Sequence, residues 1–169
     1  MKLAIIMTYT QTSDPTIREC VQSWRKLNVD EQLALFWFVY KEMGNTVTPA
    51  APRASTVSPE IAEGLFNQVK ALNHEQQLQL QRDLINCVDN QICREYGSLS
   101  DTTKLLFWYR LAQGMENTTI VPMPPNYQLS SQSQQLLDKI KALSFEQQIN
   151  LFRDYVSPMG AEAKAGAEI

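Results

Sequence analysis

Apolar positions along this chain recur with the spacing of a helix. Leu33, Phe36, Trp37, Tyr40 and Met43 fall at i, i+3, i+4 and i+7 steps, so one face of a helix over about 29–43 is apolar. Asn28 and Glu31 form a capping-box pair at its start, and Gly44 reads as its stop. A second stripe, Leu105, Trp108, Leu111, Ala112 and Met115, predicts a helix over about 101–115, with Asp101 in its first turn and Gly114 near its end. Asn73 with Gln76, Ser131 with Gln134 and Ser144 with Gln147 are further entry signals, and Asp14-Pro15 and Ser58-Pro59 place proline at the first helical position. Seven helices follow, and the stretch Asp89 to Tyr96 supplies a short eighth. No alternating run of strand length competes, so the expected class is all-α.

The pattern also repeats. Lys70 to Asp83 aligns without a gap on Lys141 to Asp154, and the same shift of 71 carries Leu35-Phe36-Trp37 onto Leu106-Phe107-Trp108. One offset shared by separate stretches implies that a whole unit was duplicated, giving two halves of four helices each. Thr48 to Pro52 and Val121 to Pro125 are the matched proline-bearing connectors. The expected organisation is an N-terminal arm over 1–14, a helical domain over 15–160 and a tail over 161–169, the last being small and charged with no periodic apolar face.

Composition narrows the chemistry. The 169 residues suffice for one domain with its own core, and a net charge of −3 without a dense basic run lacks the footprint of a nucleic-acid binder. No apolar stretch approaches the length of a membrane span or a signal-peptide core, so an intracellular protein is expected. Cys20, Cys87 and Cys93 are odd in number and form no CxxC pair, and read as small buried hydrophobes. The single histidine, His74, excludes mechanisms that need two imidazoles and reads as a solvated helix-start residue. No nucleotide-binding loop or nucleophile elbow is present, and no enzyme is expected.

Aromatic residues are concentrated at matched places: Phe36, Trp37, Phe38 and Tyr40 in one half, Phe107, Trp108 and Tyr109 in the other. Neighbours on a helix point about 100° apart, so three adjacent aromatics cannot share one core. Some of them face the other half, a pocket or a partner, and the seam between the halves is the natural place. Arg82-Asp83 and Arg153-Asp154 are also matched. Arg82 reads as a solvated or intramolecular ion pair, whereas Arg153 lies among Leu151, Phe152 and Tyr155, beside an apolar surface.

Three segments carry a family resemblance: Leu-Ala-Leu-Phe-Trp-Phe-Val-Tyr-Lys-Glu-Met-Gly at 33–44, Lys-Leu-Leu-Phe-Trp-Tyr-Arg-Leu at 104–111 and Val-Pro-Met-Pro-Pro-Asn-Tyr-Gln-Leu at 121–129. Over about residues 15–160 the chain resembles the helical carotenoid-binding domain of the orange carotenoid protein, and, without that protein's mixed α/β domain, the stand-alone helical carotenoid proteins of cyanobacteria. The resemblance implies two discontinuous four-helix bundles gripping one keto-carotenoid, such as canthaxanthin, echinenone or 3'-hydroxyechinenone. Carried over by position, it implies a tunnel lined by Leu33, Phe36, Trp37 and Tyr40 and by Trp108 and Tyr109, with Leu105, Met115, Met123, Pro124, Ile149, Phe152 and Arg153 nearby. Pro52 and Tyr127 fall in connectors that the family uses near the polyene. It further implies photoprotection by quenching singlet oxygen or antenna excitation, a cytoplasmic location at phycobilisomes on the thylakoid surface, and the phycobilisome or a C-terminal-domain-like carotenoid carrier as partner. The chain departs from photoswitching relatives at Phe36, where they have an aliphatic residue, at Arg53, where they have glycine, and at Asp154, where they have asparagine.

Overall fold

Side-chain caps start most of the helices. Asp14 accepts from the Thr16 N–H ahead of α1 (Pro15–Lys26), and Asn28 accepts from the Glu31 N–H ahead of α2 (Val29–Val47). The structure is a computed structural model that describes residues 14–47 and 59–162. The remaining helices are α3 (Pro59–Lys70), α4 (His74–Ile85), α5 (Gln91–Gly97), α6 (Asp101–Glu116), α7 (Ser131–Ala142) and α8 (Phe145–Val156). The described residues hold eight helices and no strand. Pro52, the N-terminal arm to residue 13 and the tail from residue 163 lie outside them.

Two of the expected entry signals close as capping boxes. Asn73 and Gln76 exchange side-chain and backbone bonds at the start of α4, and Ser144 and Gln147 do the same at the start of α8. Two boundaries differ from the sequence expectation. The cap of α7 is Ser130, which accepts from the Ser133 N–H, one residue earlier than expected. Gly44 does not stop α2, which runs on to Val47. A glycine ends a helix by turning to positive φ, and Gly160 is the only glycine among the described residues that does so. At Gly44 the missing side chain serves packing, since a Cβ there would stand 3.2 Å from the Tyr40 ring.

The helices sort into two groups of four. In one, α1 packs on α7 and α8, and α2 packs on the same two. In the other, α3 packs on α4, α5 and α6. The first bundle joins the two ends of the chain, while the second is the continuous run 59–116. The bundles meet where α6 lies on α8 and α2 lies on α4 and α6. Aromatic side chains cross that junction. Trp24 stacks on Tyr155 at 3.9 Å between ring centroids, Phe36 packs on both, and Phe36 reaches Trp108 of the other bundle at 5.2 Å. Trp108 in turn donates its ring N–H to the Tyr96 hydroxyl at 2.9 Å, and that hydroxyl donates to the Val156 carbonyl. Every polar atom of this buried chain thus has a partner, as burial requires.

Cysteine behaviour is mixed. Cys20 and Cys93 are buried, as expected, but Cys87 is exposed. It occupies the turn after α4 with φ 57°, a conformation that places it at the surface, with its thiol directed at the Pro158 carbonyl. His74 is exposed at the first position of α4, where its Nε2 lies 3.2 Å from the Thr118 carbonyl.

Candidate functional site

A narrow apolar slot opens at the junction of the bundles, with a cavity volume of about 60 Å³. Helix α2 contributes Leu33, Phe36, Trp37, Val39, Tyr40, Met43 and Gly44. Facing it, α6 contributes Leu105, Trp108, Tyr109, Leu111, Ala112 and Met115. Gln81 from α4 and Phe152 from α8 complete the wall, so each bundle supplies two helices. From Leu33 to Gly44, and from Leu105 to Met115, a rise of 1.5 Å per residue gives a wall about 15 Å long on each helix.

The rings are fixed by one another. Tyr40 packs edge-on against Tyr109 at 5.4 Å and lies 5.7 Å from Trp37, and the Tyr40 hydroxyl donates to the Glu116 carboxylate. Burial and that neighbouring carboxylate push the Tyr40 phenol well above its ordinary pKa, so it stays neutral and protonated. Phe38 points elsewhere, onto an open groove shared with Tyr127, Gln128 and Leu129. The adjacent aromatics of α2 therefore divide between the interior junction, the slot and the surface, as their angular separation demands. No group of three His, Cys, Asp or Glu suited to a metal occurs among the described residues.

This geometry has a known counterpart. Residues 9–162 match the family described as orange carotenoid protein, N-terminal. The chain belongs to that family. A solved structure of the red carotenoid protein of Anabaena (Nostoc) sp. PCC 7120 binding canthaxanthin is 75% identical, covers 88% of this chain and all of its own, and superimposes with a TM-score of 0.79. The orange carotenoid protein of the same organism, also solved binding canthaxanthin, is 38% identical with a TM-score of 0.78; it covers 88% of this chain, which spans only 47% of it. An orange carotenoid-binding domain-containing protein of Nostoc is 41% identical over 92% of this chain and 89% of its own.

Among members of the orange carotenoid protein N-terminal family, this chain assembles its slot from most of the positions singled out in the sequence. Leu33, Phe36, Trp37, Tyr40, Leu105, Trp108, Tyr109, Met115 and Phe152 come together on one wall. Five do not line it. Met123 and Pro124 sit on the extended connector after α6, with Pro124 exposed. Tyr127 borders the separate open groove, and Ile149 is buried in the core. Arg153 stands off the wall with its Nε buried and without a hydrogen-bond partner. Met43, Leu111 and Ala112, already part of the two apolar stripes, join the wall, and so do Val39 and Gly44, which the stripes did not include. Gln81 was hidden by being polar, although the shift of 71 places it on Phe152.

Proposed function

We propose that this chain binds one keto-carotenoid non-covalently in the slot between its bundles and holds it for photoprotection. The observation that carries this reading is the two-sided aromatic wall, in which α2 and α6 face each other across an apolar gap with Trp37, Tyr40, Trp108 and Tyr109 on it. Flat rings offset along a gap suit a flat conjugated chain, and flexible Met43 and Met115 fill irregular space around its methyl groups. A carotenoid is roughly 30 Å long, the length of a 20-residue helix, so a wall of about 15 Å grips about half of it. The matching canthaxanthin-bound relatives support the same ligand class.

Quenching belongs to the pigment, and the protein's part is to exclude water, fix the polyene and set its distance to excited partners. The reading involves no catalytic step. It extends to the partners: the pigmented protein quenches antenna excitation at a phycobilisome, or exchanges pigment with a C-terminal-domain-like carrier, in the cytoplasm. Among the described residues no helix is long and apolar enough to cross a membrane.

Expression in a host that makes canthaxanthin tests the binding. Purified protein is expected to be coloured, with a polyene absorption band that Trp37→Ala with Trp108→Ala weakens; a colourless wild-type protein overturns the reading. Fluorescence of isolated phycobilisomes, compared with and without the pigmented protein, separates antenna quenching from singlet-oxygen scavenging.

A further inference from the structure

Glutamine recurs in the interior of this chain as a brace between loops, and one copy is left unused. Gln32 donates to the Leu27 carbonyl at 2.9 Å and accepts from the Tyr155 hydroxyl at 2.7 Å. Gln77 donates to the Leu72 and Thr119 carbonyls and accepts from the Val121 N–H. Gln148 donates to the Ile140 carbonyl. Gln81 is only 5% exposed, yet its Nε2 has no hydrogen-bond partner. It is also the one of these four that borders the slot.

A buried amide N–H2 without an acceptor costs free energy, and interiors seldom tolerate one. The buried Trp108 ring nitrogen on the wall is already satisfied by Tyr96, and the half-buried Tyr40 hydroxyl by Glu116. Phe152, on the facing bundle at the position 71 residues on, shows that an apolar side chain fits a helix of the same register. The amide is therefore not forced by the fold.

We propose that Gln81 is a specificity residue whose Nε2 donates a hydrogen bond to an oxygen on the terminal ring of the carotenoid, a ring ketone, and so selects oxygenated over hydrocarbon carotenoids. The inference rests on the carotenoid reading given above. With a ketone in the slot the amide gains its missing acceptor; with a hydrocarbon ring it stays buried and unpaired. One neutral hydrogen bond sustains a preference of roughly threefold to tenfold.

The test is a competition between canthaxanthin, which has a ketone on each ring, and β-carotene, which has none, offered in equal amounts to the whole chain, with bound pigment extracted and quantified. Unmodified protein is expected to take canthaxanthin in preference, by about fivefold. Gln81→Met, which keeps volume and removes the donor, is expected to bring the ratio close to one. Gln81→Leu serves as the second variant, with thermal melts of both apoproteins as the check on folding. An unmodified protein that shows no preference overturns the proposal without recourse to any variant, and so does a preference that both folded, coloured variants retain. A wild-type protein that binds neither pigment overturns the carotenoid reading itself, a different result from coloured protein without selectivity.

Discussion

Helices α4 and α8 begin alike and end differently. Each spans 12 residues, opens on a capping box and carries an Arg-Asp pair at the matched place. Their surroundings diverge: α4 packs on α2 and α3, whereas α8 lies among α1, α2 and α6, at the middle of the molecule. Arg82 on α4 reaches outward to Asp30 at 2.8 Å, across an exposed pair of the kind worth little. On α8 the corresponding residues turn inward, with Asp154 at 2% exposure and its carbonyl accepting from Arg25. Leu84 of α4 is matched by Tyr155 of α8, which adds a hydroxyl and a ring to the aromatic junction. A shared pattern of entry signals sets the local structure of both helices, while the residues that differ decide which becomes the hub.

Removing the ring that marks this difference should have the largest effect. Phe152 is 1% exposed, packs edge-on against Trp24 at 6.4 Å between centroids and also borders the slot. Phe152→Ala is expected to cost about 3–5 kcal/mol in urea unfolding, the range for deleting a buried phenyl ring. A loss below about 1 kcal/mol would mean that α8 is no more central than α4. Tyr155→Phe is a gentler probe. It keeps the ring stacked on Trp24 and deletes only the donor to Gln32 Oε1, so a cost of about 1–2 kcal/mol is expected, with the van't Hoff unfolding enthalpy as the check on cooperativity.

The fold class and most helix boundaries were legible because capping and 3.6-residue periodicity are local. Asn73, Ser144 and Asp14 announce helix starts in a few residues of sequence. What the sequence hid depends on other parts of the chain. Gly44 looks like a stop until the Tyr40 ring is seen lying against it. Cys87 looks like a core residue until the turn after α4 lifts it to the surface. Within the site, most residues of α2 and α6 were readable because an apolar stripe on each helix carries them, although Val39, Gly44 and Tyr109 lie outside those stripes. Tyr127, Met123 and Ile149, which the resemblance implies near the polyene, stand off this slot, since the course of a connector and the depth of a helix within its bundle are set by packing between elements. Gln81 was lost for a further reason, that a polar residue in an apolar stripe reads as an outward-facing one until its neighbours are known.

The two capping boxes offer the cleanest test of what α4 and α8 share. Asn73→Ala and Ser144→Ala are each expected to cost about 1 kcal/mol, and the double variant about their sum, because the sites are remote and each cap acts within its own first turn. Unequal losses measured by denaturant midpoint would show that surroundings reach even into the caps.

One such difference is visible, and it makes the smallest effect. Gln147, in the α8 box, also donates through Nε2 to Asp14 Oδ2 at 3.0 Å, tying the start of α8 to the start of α1. That hydrogen bond, with the one from the Thr16 N–H, holds the Asp14 carboxyl below its ordinary pKa of 3.8. A carboxylate depressed in the folded state adds stability that is fully present above its unfolded pKa and is lost as the pH falls through the lower folded value. Melting temperature should therefore drop more steeply for the wild-type protein than for Asp14→Asn as the medium is acidified below about pH 4, and the two should run parallel at neutral pH. Gln76→Ala should leave that acid limb unchanged, since its side chain closes only its own box, whereas Gln147→Ala should flatten it. If both glutamine variants left the acid limb as steep as in the wild-type protein, the link between α8 and α1 would be too weak to distinguish the two helix starts.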